Sequence, residues 1–209
     1  MTDELAQNSP ETAAETPRTL AELLKQRGIP ADPSTARVLL VGPDPNYYRA
    51  LGQFIEAYAT CEGVIFSVLT FYAGVSIPVA KALFARTRME GAVNYISRIA
   101  EALSMAPERR ADLRKIFSQL KLITEMRNRL IHSGSFVTTD KGRVTTTARI
   151  ALTAEQLQEH RASIEVLEAM SADVVRIYNA LLWDMNPNRP SLSDPSLTEP
   201  WQYKPEPST

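Results

Sequence analysis

The chain has 209 residues, 44% hydrophobic and 22% charged, with a formal net charge of -1. That composition is ordinary for a globular protein, and the length suits one domain with tails. A lone cysteine, Cys61, excludes an intramolecular disulfide framework, and the acidic start Met1-Thr2-Asp3-Glu4 leads into no apolar stretch, so a cytoplasmic protein without a signal peptide is expected.

Residues 1–17 are polar and lack apolar periodicity, which predicts a disordered tail. Residues 18–45 read as a short helix and an extended lead-in. Thr19 caps a helix over Arg18 to Arg27 with Leu20, Leu23 and Leu24 on one side, and Gly28-Ile29-Pro30 ends it. Arg37 to Val41 is a short extended run cut off by Gly42-Pro43-Asp44-Pro45.

Residues 46–185 form the predicted helical domain. Its first helix runs from a cap at Asn46 to about Ala73, with Leu51, Phe54, Ile55, Tyr58, Ile65, Val68, Leu69 and Tyr72 at spacings of three and four. Gly63 to Ala80 carries no charge and approaches the roughly 18-residue threshold for a membrane span. Gly74 suits a helix end, Ser76 the next cap and Pro78 a new first turn, so each half is expected to be too short to span. No membrane partner is expected.

Short helices follow over Ile77 to Ala85 and Met89 to Leu103. Pro107 fits the first turn of a long helix from about Glu108 to Ile131, striped by Leu113, Ile116, Phe117, Leu120, Ile123, Leu130 and Ile131, and Gly134 ends it. Phe136 to Asp140 and Arg143 to Thr147 flank Lys141-Gly142 as a β-hairpin. A Thr153…Gln156 capping box then starts the last helix, which runs to about Trp183. Residues 186–209 are rich in Pro and Ser and are expected to be disordered, with Trp201 and Tyr203 either docking on a partner or folding back. The fold class is all-α: an up-and-down bundle of four to five helices with a small hairpin between its last two.

Charge is uneven. Lys81 to His132 holds 11 Lys/Arg against 5 Asp/Glu, whereas Thr153 to Thr209 holds 4 against 9. The basic middle fits either a phosphate backbone or solvated helix faces. Cys61, mid-helix among apolar residues, reads as core, and His160 as a surface residue of the last helix. No P-loop, dinucleotide fingerprint or zinc motif is present, and neither a metal nor another cofactor is expected.

The densest chemistry is Arg127-Asn128-Arg129-Leu130-Ile131-His132-Ser133-Gly134, which holds one of the two histidines. Arg127 follows Leu120 by seven residues and Ile123 by four, so it falls within the apolar stripe, where a cation needs a partner or a cleft. Glu62, an acid within the first long helix, is the candidate partner for a purely structural role. Arg127 and His132 diverge by about 140° on a regular helix. They meet on one ligand only if the helix loosens after Ile131 or a second chain completes the site.

Arg127-Asn128-Arg129-Leu130-Ile131-His132 resembles the Arg-polar-x-x-x-His signature of the HEPN superfamily, small all-α domains of prokaryotic toxin and defence systems. The likeness spans about Asn46 to Trp183 and is closest to single-domain bacterial members. The resemblance implies metal-independent endoribonuclease activity at a homodimer interface, with an antitoxin or other protein as a further partner. By position, Arg127 would hold the scissile phosphate, Asn128 would assist, and His132 would transfer protons, with Glu62 in support. Family members without catalysis imply the alternative, a helical module binding a partner or nucleotide.

Overall fold

The protein is described here from a computed structural model, which describes residues 19–30, 38–39, 42, 44–146, 158–186 and 195–205. Six α-helices dominate these residues: α1 (Leu20–Gln26), α2 (Pro45–Ala73), α3 (Ile77–Phe84), α4 (Met89–Ala102), α5 (Pro107–Ser133) and α6 (Ile164–Met185). The expected hairpin is the centre of a larger antiparallel sheet, ordered β1 (Val38–Leu39), β2 (Phe136–Thr138), β3 (Gly142–Thr146) and β4 (Glu159–Arg161).

The local signals act largely as their chemistry dictates. Thr19 and Glu22 form a reciprocal capping box at the start of α1. The cap of α2 is Asp44 rather than Asn46: its Oδ1 accepts from the Asn46 and Tyr47 N–H groups. Pro45 explains the shift, because it lacks an N–H and its fixed φ suits the first helical turn. Gly74, at φ 63°, ends α2 in the left-handed region, and Pro78 stands in the first turn of α3.

With 29 residues, α2 is long and apolar enough to cross a membrane by length and composition alone, so the break at Gly74 does not make it too short. Its stripe is instead spent on the core. Phe54, Tyr58, Ile65, Val68, Leu69 and Tyr72 are buried, as are Leu113, Ile116, Leu120, Ile123 and Met126 of α5 and Leu167, Met170, Val174, Ile177 and Leu181 of α6. Each such large side chain contributes about 1.5–3 kcal/mol when fully buried. Ile131, placed in the α5 stripe by spacing, is exposed.

Two contacts fix the direction of α5. Tyr58, midway along α2, meets Thr124 in the last third of α5, and Tyr72, at the end of α2, meets Arg109 at the start of α5, so the two helices run antiparallel. Asp184, near the end of α6, joins the same Arg109, while Ala162 just before α6 bonds Arg143, whose guanidinium covers the Tyr47 ring near the start of α2. Thus α6 runs parallel to α2, and the sheet closes the end of the bundle where α5 finishes.

The last helix departs from expectation. Residues 147–157, including the Thr153…Gln156 box, lie outside the described residues, but the segment after them is strand rather than helix. Glu159, His160 and Arg161 pair with Thr146, Thr145 and Val144, and α6 starts only at Ile164, with Ser163 as its cap. The β-branched residues of β3 offer an open edge, and main-chain pairing along it overrides the helical pattern. His160 is therefore a half-buried strand residue, not a helix-surface one.

Residues 195–205, expected to be disordered, pack on α5 and α6. Leu197 and Tyr203 are buried, and Trp201 packs against the core cluster. Anchoring apolar side chains and main-chain hydrogen bonds outweigh the disorder bias of a Pro/Ser-rich composition.

Gly134 joins the motif helix to the sheet. Its φ of 69° and ψ of -166° lie in a region essentially only glycine adopts, and its carbonyl accepts from the Thr145 hydroxyl at 2.6 Å. An added Cβ meets no atom within 4 Å, so the cost of Gly134→Ala is conformational, about 1–3 kcal/mol in urea unfolding. Gly63, inside α2 with equally open space, should respond oppositely: Gly63→Ala should stabilise by about 0.5–1 kcal/mol.

Candidate functional site

The helix carrying Arg127, Asn128 and His132 does not loosen after Ile131. It remains α-helical through Ser133 and closes at Gly134, whose N–H donates to the Leu130 carbonyl at 3.1 Å. The divergence of about 140° between Arg127 and His132 therefore persists. Within one chain they face different directions.

Arg127 is half-buried beside α2. Its guanidinium carbon lies 5.3 Å from the centroid of the Tyr58 ring, and its Nη1 donates to Asn128 Oδ1 at 3.1 Å. Its Nε–H is buried without an acceptor, and no carboxylate pairs with it among the described residues. The side chain is a held cation with donors to spare, the property a phosphate site requires.

Tyr58 was not singled out by sequence, because nothing in the spacing on α2 links it to a residue of α5. Its phenol is oriented on both sides. The Thr124 hydroxyl donates to the Leu120 carbonyl at 2.7 Å, so Tyr58 must donate to Thr124 Oγ1 at 2.9 Å. Burial raises the Tyr58 pKa above 10.0, and Glu62 pushes the same way, while the Thr124 bond and Arg127 counter it. The ring is thus a neutral platform beneath the guanidinium.

Glu62 lies one turn beyond Tyr58 on α2 and is exposed. It lines a shallow pocket with Phe84, Arg88 and Met89 rather than pairing with Arg127. The purely structural reading loses its named partner. Asn128 and His132 are exposed at the end of α5.

Among the described residues, no three His, Cys, Asp or Glu side chains gather as a metal site. Cys61 is fully buried, and burial pushes its thiol up to about 12 from 9.0, with Glu62 adding to the effect. The neutral thiol is a core group, not a nucleophile. Cys61, Tyr47 and Tyr58 all have folded-state pKa values raised above their ordinary ones. Above about pH 9 the unfolded chain loses these protons first, so their stabilising contribution is complete below that pH and declines as pH rises toward 12. Stability measured by denaturant should fall across this range, and Cys61→Ala should make the fall shallower.

No family model matches the chain, and no curated protein or solved structure matches it.

Proposed function

We propose that the chain is a metal-independent endoribonuclease whose site is completed by a second copy of itself. Its type is HEPN, in line with the Arg127…His132 signature and the helical bundle around it. The observation that carries the reading is Arg127: a cation held at the core edge over Tyr58 with no carboxylate partner among the described residues, on the same helix as an exposed His132.

The divergence of the two side chains makes a two-chain site the productive arrangement. Arg127 of one copy and His132 of the other would then face one phosphate, with exposed Ile131 supplying apolar contact between the motif helices. His132 would take the ribose 2′-hydroxyl proton or give one to the leaving oxygen. Arg127, assisted by Asn128, would neutralise the phosphate oxygens. The 2′-oxygen attacks phosphorus as the P–O5′ bond breaks, leaving a 2′,3′-cyclic phosphate and a 5′-hydroxyl. An antitoxin would act by covering this face.

The same divergence favours a second reading, a non-catalytic helical module that binds a partner or nucleotide. Purified protein incubated with several RNAs in EDTA separates the two readings. Cleavage that His132→Ala removes supports the nuclease, and intact RNA with verified dimer supports the binding module.

A further inference from the structure

The segment 195–205 is held on α5 and α6 mostly through its main chain. Asp173 accepts from two consecutive N–H groups, Gln202 at 3.0 Å and Tyr203 at 2.9 Å. Gln119 donates to the Tyr203 carbonyl and to Asp173, both at 2.9 Å. Arg176 donates to the Glu199 and Pro200 carbonyls, and its guanidinium lies 3.9 Å from the Trp201 ring centroid. Lys115 donates to the Leu197 carbonyl.

These partners have the makings of a peptide site. With the segment seated, Asp173 and Gln119 are only 1% and 4% exposed, so the bonds they make to its main chain are shielded from water and are costly to leave unmade. Lys115 and Gln119 are four residues apart on α5, and Asp173 and Arg176 three apart on α6, so each pair shares a helix face. Specificity comes from the side chains of the occupant: Leu197 and Tyr203 are buried, and Trp201 stacks.

We propose that this α5–α6 groove is a peptide-recognition site for segments of the form Leu-x-x-x-Trp-x-Tyr, and that its partner in trans is the same segment of a second copy of this chain. The contacts just described lie between the segment and the two helices. An identical segment from another copy can make the same bonds. The chain's own segment competes at a local concentration of millimolar order. Reciprocal exchange yields a two-fold dimer. The inference is independent of the ribonuclease reading.

A fluorescent peptide of residues 195–205 is titrated with full-length protein. The full-length variant Leu197→Ala/Tyr203→Ala, whose own segment is weakened, should bind the peptide at least about tenfold more tightly than the unaltered chain. Adding Asp173→Asn, which sets an amide N–H against the incoming N–H groups, should remove that binding. Should the double variant lose its helical circular dichroism, Trp201→Ala takes its place, since that ring is half-exposed. A folded variant that does not bind, or binding indifferent to Asp173→Asn, overturns the peptide site. For the second copy, sedimentation of the full chain, carried up to the millimolar range where a partner's segment matches the local concentration of the chain's own, should show a dimer that excess free peptide dissociates. A monomer at all concentrations, or a dimer indifferent to the peptide, overturns the exchange, and an indifferent dimer is still compatible with a motif-helix interface.

Discussion

Asp173→Ala is expected to lower the unfolding free energy by about 2–4 kcal/mol and to release Trp201 and Tyr203 from α6. The carboxylate is 1% exposed and collects three donors: the Gln119 amide and two main-chain N–H groups. Hydrogen bonds to a charged acceptor contribute about 1.5–3 kcal/mol each, but they do not add here. Once the acceptor is gone, segment 195–205 can leave the groove and hydrate its own N–H groups, which limits the loss to the free energy of docking plus the exposed groove. Urea unfolding followed by tryptophan fluorescence reads both effects, because Trp201 loses its place under Arg176. A change below about 0.5 kcal/mol, the range of an ordinary surface substitution, would contradict the clamp.

At the opposite end of the bundle from the sheet, Arg109→Ala should cost about 3 kcal/mol or more. Arg109 donates from Nε and Nη2 to the Asp184 carboxylate, from Nη2 to the Asp184 carbonyl and the Tyr72 hydroxyl, and lies over the Tyr72 ring at 5.2 Å. One side chain thus joins α2, α5 and α6. The paired side chains are only 19% and 10% exposed, so removing the guanidinium leaves a carboxylate that water screens poorly. Breaking a buried pair from one side typically costs about 3–5 kcal/mol, and the residual exposure favours the lower end. The double variant Arg109→Met/Asp184→Leu removes both charges and should recover most of that loss. A double variant as unstable as the single one would show that the cost comes from packing on Tyr72, not from the abandoned charge.

The helical pattern was legible because it is a local property. Gly74, Pro78, Pro107 and Gly134 punctuate the chain at or near the observed element boundaries, and the three-and-four spacing on α2 identifies the side chains that are buried. What escaped depends on residues far apart in sequence. Glu159 to Arg161 become a strand because β3, more than ten residues earlier, presents an edge. Residues 195–205 are ordered by Asp173 and Gln119, which look like unremarkable polar residues until the two helices are packed together. The position of Arg127 near the apolar stripe was readable, but the Tyr58 ring it rests on was not, since that contact spans 69 positions from α2 to α5. The purely structural role tied to Glu62 looked reasonable from an acid among apolar neighbours. Yet Glu62 is exposed although it shares a helix face with buried Tyr58 one turn earlier, so what packs beside each position, not phase or composition, decides the outcome.

The proposed ribonuclease site joins Arg127 of one chain to His132 of another. It is tested most directly by mixing two inactive full-length variants, Arg127→Ala and His132→Ala, and assaying RNA cleavage in EDTA. Each variant alone should lose at least about 100-fold of the activity of the unaltered chain, the scale of a lost general acid or base. Mixed dimers would pair an intact His132 from one copy with an intact Arg127 from the other, so the mixture should regain up to about a quarter of full activity, half of the dimers being mixed and each holding one of two sites. The 2′,3′-cyclic phosphate end would identify the chemistry. An unaltered chain that leaves RNA intact, or a mixture no more active than its components, would contradict a two-chain ribonuclease site.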